Sequence, residues 1–407
     1  MTRRSTNTAE APVEREVTIA LADDRASAMV ADVREGLSRR QKELPPKYFY
    51  DERGSELFEK ITRLPEYYLT RAERALLTSS AREIVEAFRP RTLVELGAGS
   101  AAKTRILLDA MRDAGCGEDY VPVDVSEDFL ASTARRLRAE YPNLRVTPAV
   151  ADIGSSLGLP ERLPRPVLFA FLGSTIGNFD APSARALLGR VRQVMRPFDR
   201  LLLGADLRKK RHVVEAAYND ARGVTAAFNR NMLRVLNREL GADFNVGSFR
   251  HRAFYSPERH RIEMHLVSSR EQVVHIPRVG DVRLASGETI RTEISCKYDR
   301  PSVRRLLRAA RLRLQDWIAD DGRFALAIAS PRFGASSAHR SDRCYRSIAS
   351  FGRTADCATG AAQSRLCCAD RCRRSRGRCR HPPLPPVGRP PSRALHAAAS
   401  RSTRSAA

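Results

Sequence analysis

The chain of 407 residues lacks the marks of a membrane-spanning or secreted protein. No apolar run approaches the roughly 18 residues that span a bilayer. The polar start, MTRRSTNTAEAPVERE, has no apolar segment of the kind found in a secretory signal. We therefore expect a cytoplasmic protein with no membrane partner. The length allows two domains, or one large domain with an insertion.

Cysteine is also scarce, since the chain before residue 331 contains only Cys116 and Cys296. So low a content is what a reducing compartment permits. No C-x-x-C spacing occurs anywhere in the sequence, although paired cysteines of this kind are typical of zinc sites. We predict that the protein holds no metal.

Lysine is missing from residues 331–407, and this tail contains 16 Arg and 3 Asp. More than half of the net charge of +24 therefore lies there, and acids and bases interleave in the rest of the chain. The tail is compatible with an arginine-rich arm that binds nucleic acid, or with an out-of-frame translation product of a GC-rich gene. A third interpretation is a zinc module formed by Cys367, Cys368, Cys372, Cys379 and His381.

Arginine without lysine, together with scattered cysteines, fits an out-of-frame product best. We expect the tail to be disordered, we assign it no function, and we predict no nucleic-acid partner. Residues 1–18 are also expected to be disordered.

Strands and helices alternate from Arg91 onward, which predicts a doubly wound α/β fold with a parallel sheet. Strands are predicted at 92–96, 120–124, 144–149, 166–171 and 200–205, and helices at 103–114, 127–140 and 181–195. Upstream, Thr70 is a predicted N-cap with Glu73 three residues later, which starts a helix that reaches Phe88.

Residues 209–288 break this alternation and form a predicted insertion. Helix is expected at 209–240, and strands at 254–268 and 271–276 with a turn between them. The α/β pattern resumes with a strand at 289–297 and a helix at 302–310. It closes near Ser330, after strands at 312–317 and 324–328.

A glycine turn follows the first predicted strand in the stretch VELGAGSAAKT. Gly97 and Gly99 permit a tight turn and close approach of a ligand to the backbone. Asp124 ends the next strand, where a carboxylate can accept both ribose hydroxyls, and Asp152 with Ile153 can contact an adenine ring. The turn alone fits a dinucleotide or a methyl donor, and each aspartate alone fits an ordinary cap. The three elements together favour the methyl donor.

Two polar residues stand beside this candidate cofactor site. Lys103 is a cation next to the glycine turn, so it is either a solvated helix residue or a partner for the cofactor's carboxylate. Asn178, in the loop FLGSTIGNF after the fourth strand, is either a turn residue or a hydrogen-bonding group for an amine.

Glu293 and Ser295 are two apart in a predicted strand and therefore share one face. A carboxylate and a hydroxyl on one face suit a polar ring with two nitrogens, although a solvent-facing strand edge explains the pair as well. Tyr67, Tyr68 and Tyr218 are unremarkable as core aromatics.

Four stretches together resemble the L-histidine Nα-methyltransferases of ergothioneine biosynthesis. They are LPPKYFYDERGSELFEKITRLPEYYLTR, VELGAGSAAKT, FLGSTIGNF and ETIRTEISCKY, and the resemblance runs from about Ala20 to Ser330. It implies trimethylation of the α-amine of histidine to hercynine with S-adenosylmethionine. It also implies a Rossmann-like methyltransferase core (71–208 and 289–330) with a second substrate-binding α+β domain (19–70 and 209–288).

The resemblance also implies roles for individual residues. The cofactor-binding residues would be Tyr50, Gly97, Lys103, Asp124, Asp152 and Ile153. The histidine-binding residues would be Tyr67, Gly173, Asn178, Tyr218, Met264, Glu293 and Ser295. Asn178 would hold the amine, Glu293 and Ser295 the imidazole, and Tyr67 and Tyr218 the carboxylate side, with Asn178 and Tyr67 closest to the chemistry.

We expect a monomer whose partner is the small molecule L-histidine. The nearest alternative function is methylation of another amino acid or of a small imidazole amine. A nicotinamide-dependent dehydrogenase and a basic nucleic-acid-binding protein are the alternatives from other classes.

Overall fold

The structure, a computed structural model, describes residues 22–332. The predictions for residues 1–18 and for the tail beyond residue 332 lie outside this range. Among the described residues, no helix is both long enough and apolar enough to cross a membrane.

The N-terminal part is mostly helical. It comprises α1 (Ala22–Ser38), β1 (Lys42–Glu43), a 3-10 helix (Pro46–Phe49), α2 (Glu52–Ile61) and α3 (Leu69–Phe88). Alternating strands and helices follow, namely β2 (Thr92–Leu96), α4 (Thr104–Asp113), β3 (Asp119–Asp124), α5 (Glu127–Glu140), β4 (Arg145–Val146), β5 (Ala149–Val150), β6 (Val167–Phe171), a 3-10 helix (Thr175–Asn178), α6 (Ala181–Val194) and β7 (Arg200–Asp206).

The C-terminal half begins with helices and continues as strands. Its elements are α7 (Arg211–Ala216), α8 (Val224–Leu240), a 3-10 helix (Val246–Ser248), β8 (Phe249–Ser256), β9 (Arg261–Ser268), β10 (Gln272–Ile276), β11 (Gly280–Leu284), β12 (Thr289–Cys296), α9 (Arg300–Ala309), β13 (Leu312–Ala319) and β14 (Phe324–Pro331).

The main sheet has the strand order β13-β14-β7-β6-β2-β3-β4, with β5 also paired to β3. Strands β7, β6, β2, β3 and β4 are parallel, and β14 and β13 are antiparallel additions. Alternate residues of β2 point to opposite faces, so that Leu93 packs with α3, α4 and α5 and Val94 packs with α6 and α9. The predicted doubly wound α/β fold is confirmed.

A second lobe contains the sheet β1-β12-β9-β8 and the separate hairpin β10–β11. Its apolar core also includes buried residues of α1, α2, α7 and α8. The lobe is therefore assembled from two distant parts of the chain.

The prediction that residues 289–297 return to the core was wrong. β12 pairs with β9 and β1, so it belongs to the second lobe, and the chain enters the core again only after it. The alternation of side chains along a strand does not reveal which sheet completes its hydrogen bonds, because the partner is distant in sequence.

Three local predictions were also wrong. The run 254–268 is two strands, because the chain turns after Pro257 and His260 has a φ of +48°. The strand 144–149 is interrupted at Pro148, which has no N–H to donate, and becomes β4 and β5. Helix α3 begins at Leu69, so Thr70 lies inside it and is not its N-cap.

Candidate active site

The glycine turn after β2 is held by the end of β3. The N–H of Gly97 donates to the Val123 carbonyl over 2.8 Å, and the N–H of Gly99 donates to the Asp124 carboxylate over 2.9 Å. Both glycines have positive φ, +71° and +51°, a conformation that side chains disfavour. A Cβ built on Gly99 meets nothing within 4 Å, so the turn faces open space.

The Asp124 carboxylate is buried, and burial raises its pKa. Its second oxygen accepts the N–H of Ser126 over 3.2 Å. Three backbone N–H groups, those of Gly99, Val125 and Ser126, interact with this carboxylate, and an ionised carboxylate has about four acceptor sites. Asp124 can therefore position the turn and still accept a hydrogen bond from a ligand.

Lys103 forms an ion pair with Glu73 of α3, whose side chain is fully buried. The oxygens of Glu73 also accept the N–H of Gly173 over 2.7 and 2.8 Å. Glu73 thus links Lys103 to the loop after β6. The sequence suggested Glu73 as a capping residue, and this interpretation concealed its position at the strand ends.

Asp152 and Ile153 follow β5. One Asp152 oxygen accepts the N–H of Gly154 over 2.8 Å, and the other accepts Lys47 Nζ over 2.9 Å. Lys47 also pairs with Asp32 at 2.8 Å, so it joins the N-terminal segment to this loop. Ile153 is buried in the core beside the loop. The sequence had not identified Lys47 as a site residue.

The paired strands β9 and β12 carry three further candidate residues. Met264 lies directly opposite Glu293, and Ile262 lies opposite Ser295. Directly paired residues of antiparallel strands point to the same face. Met264, Glu293 and Ser295 therefore form one continuous surface.

The Glu293 carboxylate has no hydrogen-bond donor among the residues that the structure describes. Burial raises its pKa to about 7, against the opposing effect of the Lys297 ammonium. An unpaired, partly desolvated carboxylate is costly unless a ligand supplies a donor. Glu293 therefore has the properties of a binding residue.

Ser295 is hydrogen-bonded within a buried network at the end of β12. The Tyr218 hydroxyl donates to Ser295 Oγ over 2.8 Å, and Lys297 Nζ donates to Ser295 Oγ and Tyr218 over 2.8 and 3.1 Å. Lys297 also pairs with Asp206, the last residue of β7, at 2.8 Å. Lys297 was missed, although its spacing of two from Ser295 placed it on the same face.

The loop after β6 packs closely against β12. A Cβ on Gly177 would lie 2.9 Å from the Cys296 carbonyl oxygen, so this approach requires glycine. The same Cβ would lie 3.6 Å from Ser295 Oγ, and Asn178 is the next residue in the chain. The Asn178 side chain has no hydrogen-bond partner in the described part of the chain.

Tyr67 is buried and Tyr50 is partly buried, and both pack in the core of the second lobe. The Tyr67 ring is 6.2 Å from that of Tyr218, and the Tyr50 ring is 5.7 Å from that of Phe58. Burial raises the pKa of both hydroxyls, and the Glu293 charge raises it further. The Asp124 charge also acts on Tyr50, which places this hydroxyl within electrostatic reach of both sides of the site.

The predicted site residues thus fall into two groups. One group lies at the ends of β2, β3 and β5, and the other on β9, β12 and the loop after β6. Tyr218 joins the second group through its hydrogen bond to Ser295, and the charges of Asp124 and Glu293 both act on Tyr50. Among residues 22–332, no group of three or more histidine, cysteine or acidic side chains is arranged to hold a metal ion.

Comparison with known proteins gives consistent matches over this range. Residues 29–331 match the family described as histidine-specific, SAM-dependent methyltransferases. The chain is 44% identical over 310 residues to a histidine N-alpha-methyltransferase of Mycolicibacterium smegmatis, which covers 76% of this chain and 96% of that protein. For the histidine N-alpha-methyltransferase of Mycobacterium tuberculosis the identity is 45% over 308 residues, covering 74% and 95%.

A more distant relative is ergothioneine biosynthesis protein 1 of Neurospora crassa. It is 32% identical over 299 residues, which cover 68% of this chain and 32% of that longer protein.

Proposed function

Because the chain belongs to the family of histidine-specific, S-adenosylmethionine-dependent methyltransferases, we propose that it trimethylates the α-amine of L-histidine. The product is hercynine, and the reaction is part of ergothioneine biosynthesis. We assign Tyr218 to the ring, and not to the carboxylate side that the resemblance implies, because its hydroxyl donates to Ser295 Oγ. The single observation that carries the choice of substrate is the surface formed by Glu293, Ser295 and Tyr218. It combines an unpaired carboxylate with a hydroxyl pair, which match the two nitrogens of an imidazole.

The part of the site around the glycine turn has the hydrogen-bond donors and acceptors that a nucleoside with an amino-acid tail requires. Gly99 leaves open space at the end of β2, and Asp124 retains an acceptor site for a ribose hydroxyl. Asp152 likewise retains a lone pair for the adenine amino group, beside the apolar Ile153. Lys103 donates one of its three N–H groups to Glu73, so the others can bind the carboxylate of the cofactor.

When bound, S-adenosylmethionine supplies a sulfonium methyl group that an amine can displace. The protein's task is to hold the substrate nitrogen in line with that methyl, and such positioning accounts for a large part of the acceleration. We assign this role to Asn178 together with Tyr67. A neutral amide fits here better than a carboxylate, because a negative charge would stabilise the unreactive ammonium.

Three successive methyl transfers require the substrate nitrogen to lose a proton each time. Each round forms one N–C bond, breaks one S–C bond and releases S-adenosylhomocysteine. The histidine ammonium gives up three protons in all, because the nitrogen must present a lone pair each time. The ring contacts of Glu293, Ser295 and Tyr218 do not involve the changing nitrogen, so they can retain the mono- and dimethylated amines.

The direct test supplies purified protein with S-adenosylmethionine labelled in its methyl group and a panel of amino acids. We expect label on histidine and not on the other amino acids. Transfer only to another acceptor would refute the proposed substrate. Glu293→Ala should lower kcat/KM for histidine by about 10- to 100-fold, because one charged hydrogen bond is lost, and leave the affinity for S-adenosylhomocysteine unchanged.

A further inference from the structure

Lys297 is a fully buried cation beside the proposed ring-binding surface, and no step proposed above uses it. Its side chain and that of Asp206 both have 0% exposure. Asp206 ends a core strand, and Lys297 follows the last strand of the second lobe. The pair therefore lies where the two lobes meet, directly behind Ser295 and Tyr218.

The hydrogen-bond inventory of Lys297 is complete. An ammonium has three N–H donors and no acceptor. Lys297 has three acceptors within reach, namely Asp206 Oδ2 at 2.8 Å, Ser295 Oγ at 2.8 Å and the Tyr218 hydroxyl at 3.1 Å. Each of the two hydroxyls therefore accepts one hydrogen bond from the same buried cation.

The protons of the two hydroxyls are then constrained. One proton lies between Tyr218 and Ser295, which are 2.8 Å apart. The other cannot point at Lys297, which has no lone pair, so it is directed away from the ammonium. Whichever hydroxyl carries it, the pair presents a donor to the pocket.

We propose that Lys297 is a positioning residue that fixes the Ser295–Tyr218 pair as a hydrogen-bond donor and thereby selects substrates whose ring carries a bare nitrogen. This rests on the proposed function. Glu293 accepts the N–H of the ring, and the hydroxyl pair donates to the ring nitrogen that has no proton. The site consequently selects one tautomer of a neutral imidazole and disfavours rings that lack the bare nitrogen.

The test removes the ammonium and compares two ligands. Lys297→Met should weaken the binding of histidine about tenfold by calorimetry, because the hydroxyl pair loses its fixed direction. Binding of the pyrrole analogue of histidine, in which C–H replaces the bare nitrogen, should change less than about twofold. The affinity for S-adenosylhomocysteine should not change. Equal weakening of both amino acids would overturn the proposal.

A mutant cycle provides a second readout. In the background Ser295→Ala/Tyr218→Phe, Lys297→Met should have no further effect on kcat/KM for histidine, since it acts through the two hydroxyls. Effects that multiply would show a general structural role and overturn the proposal.

The control is Lys209→Met, which removes the other cation of Asp206. Lys209 Nζ lies 2.6 Å from Asp206 Oδ1 and 2.8 Å from the Tyr68 hydroxyl, and it has no hydrogen bond to Ser295 or Tyr218. We expect it to leave histidine binding within about twofold of the wild type. A loss as large as that of Lys297→Met would contradict the proposal.

Because Lys297→Met leaves a buried carboxylate with one cation fewer, the paired variant Asp206→Asn/Lys297→Met removes both charges. It should show the same selective loss of affinity for histidine. If this variant still prefers histidine over the pyrrole analogue as strongly as the wild type does, the proposal is overturned.

If the wild type transfers no methyl group to histidine, the proposed function fails as well. If it does and Lys297→Met equals the wild type, the role of Lys297 alone fails.

Discussion

An α-amine is a nucleophile only without its proton, and we propose that Asn178, in the loop after β6, holds this amine. Asn178→Asp keeps the size of the side chain and adds a negative charge. The charge should stabilise the ammonium and raise the pKa of the bound amine. We expect the acidic limb of the kcat profile, which reports groups of the enzyme–substrate complex, to move to higher pH. Asn178→Ala should lose activity by about 100-fold without such a shift. Superimposable pH profiles for Asn178→Asp and the wild type would contradict this role.

The ionisation of Glu293 should make the affinity for histidine depend on pH. Its pKa is raised to about 7 by burial, so the free enzyme carries a neutral acid below that pH and an acceptor above it. The charged and titratable groups around it are Lys297, Tyr50, Tyr67 and Tyr218. Because the ring N–H needs an acceptor, histidine binding should strengthen as the pH rises through 7.

The measurement is calorimetry of histidine at pH 6 and pH 8 with S-adenosylhomocysteine saturating. The ratio of wild-type to Glu293→Gln affinity should rise about tenfold between these values, as a single group of pKa near 7 requires. Histidine's own titration affects both proteins alike and cancels in the ratio. A ratio independent of pH would show that Glu293 does not accept from the ring.

The sequence predicted where candidate site residues lie better than it predicted which side chains they contact. The positions of Gly97, Asp124 and Asn178 at strand ends followed from the alternating pattern, because ligands of such sheets lie at the carboxyl ends of the strands. The partners of Lys103 and Ser295 did not follow. Glu73 pairs with Lys103, and Tyr218 donates to Ser295, from elements that are distant in sequence, and no local spacing encodes such contacts.

At the scale of elements, the close contact between the 3-10 helix Thr175–Asn178 and β12 joins the two halves of the site. Gly177→Ala would place a Cβ 2.9 Å from the Cys296 carbonyl oxygen, so one element must move. We expect the free energy of unfolding to fall by about 1–3 kcal/mol and kcat/KM for histidine to fall about tenfold or more.

The matched control for this substitution is Gly189→Ala in α6, where an added Cβ meets nothing within 4 Å. Alanine should stabilise that helix by about 0.5–1 kcal/mol and leave kcat/KM unchanged. Chemical denaturation and steady-state kinetics measure both variants. Equal behaviour of the two alanine variants would contradict the packing argument.

Elements were predicted well where the pattern was long and uninterrupted, as for α5, whose bounds were predicted correctly. The predictions failed where pairing decides the outcome. The alternation of β12 is equally compatible with either sheet, and its assignment to the second lobe depends on hydrogen bonds to β9 and β1. The hairpin β10–β11 was predicted only in its first strand.

At the scale of the whole molecule, the residues that we propose to bind substrate and cofactor come from both lobes. Asp206 and Lys297 join them in a buried ion pair, and Lys47 joins them again through Asp32 and Asp152. The family match ends at residue 331, as does the last core strand. The described part of the chain therefore contains every residue to which we assign a role.

Because every assigned residue lies in the described part of the chain, we expect the basic tail beyond residue 332 to be dispensable for the proposed reaction. A chain that ends after Arg332 should keep kcat/KM for histidine within about twofold of the full-length protein, because no assigned residue is lost. Any affinity of the full-length protein for DNA should fall with the removed charge and with added salt. Kinetics and filter binding of both forms test this. Loss of methyl transfer on truncation would contradict our assignment of the site.

The most direct test of the account is the product formed from histidine with excess S-adenosylmethionine. Mass spectrometry with fragmentation counts the added methyl groups and locates them. The account predicts three methyl groups, all on the α-nitrogen, and an unmodified imidazole. Methyl groups on a ring nitrogen, or an unchanged histidine under conditions where another amino acid is methylated, would contradict it.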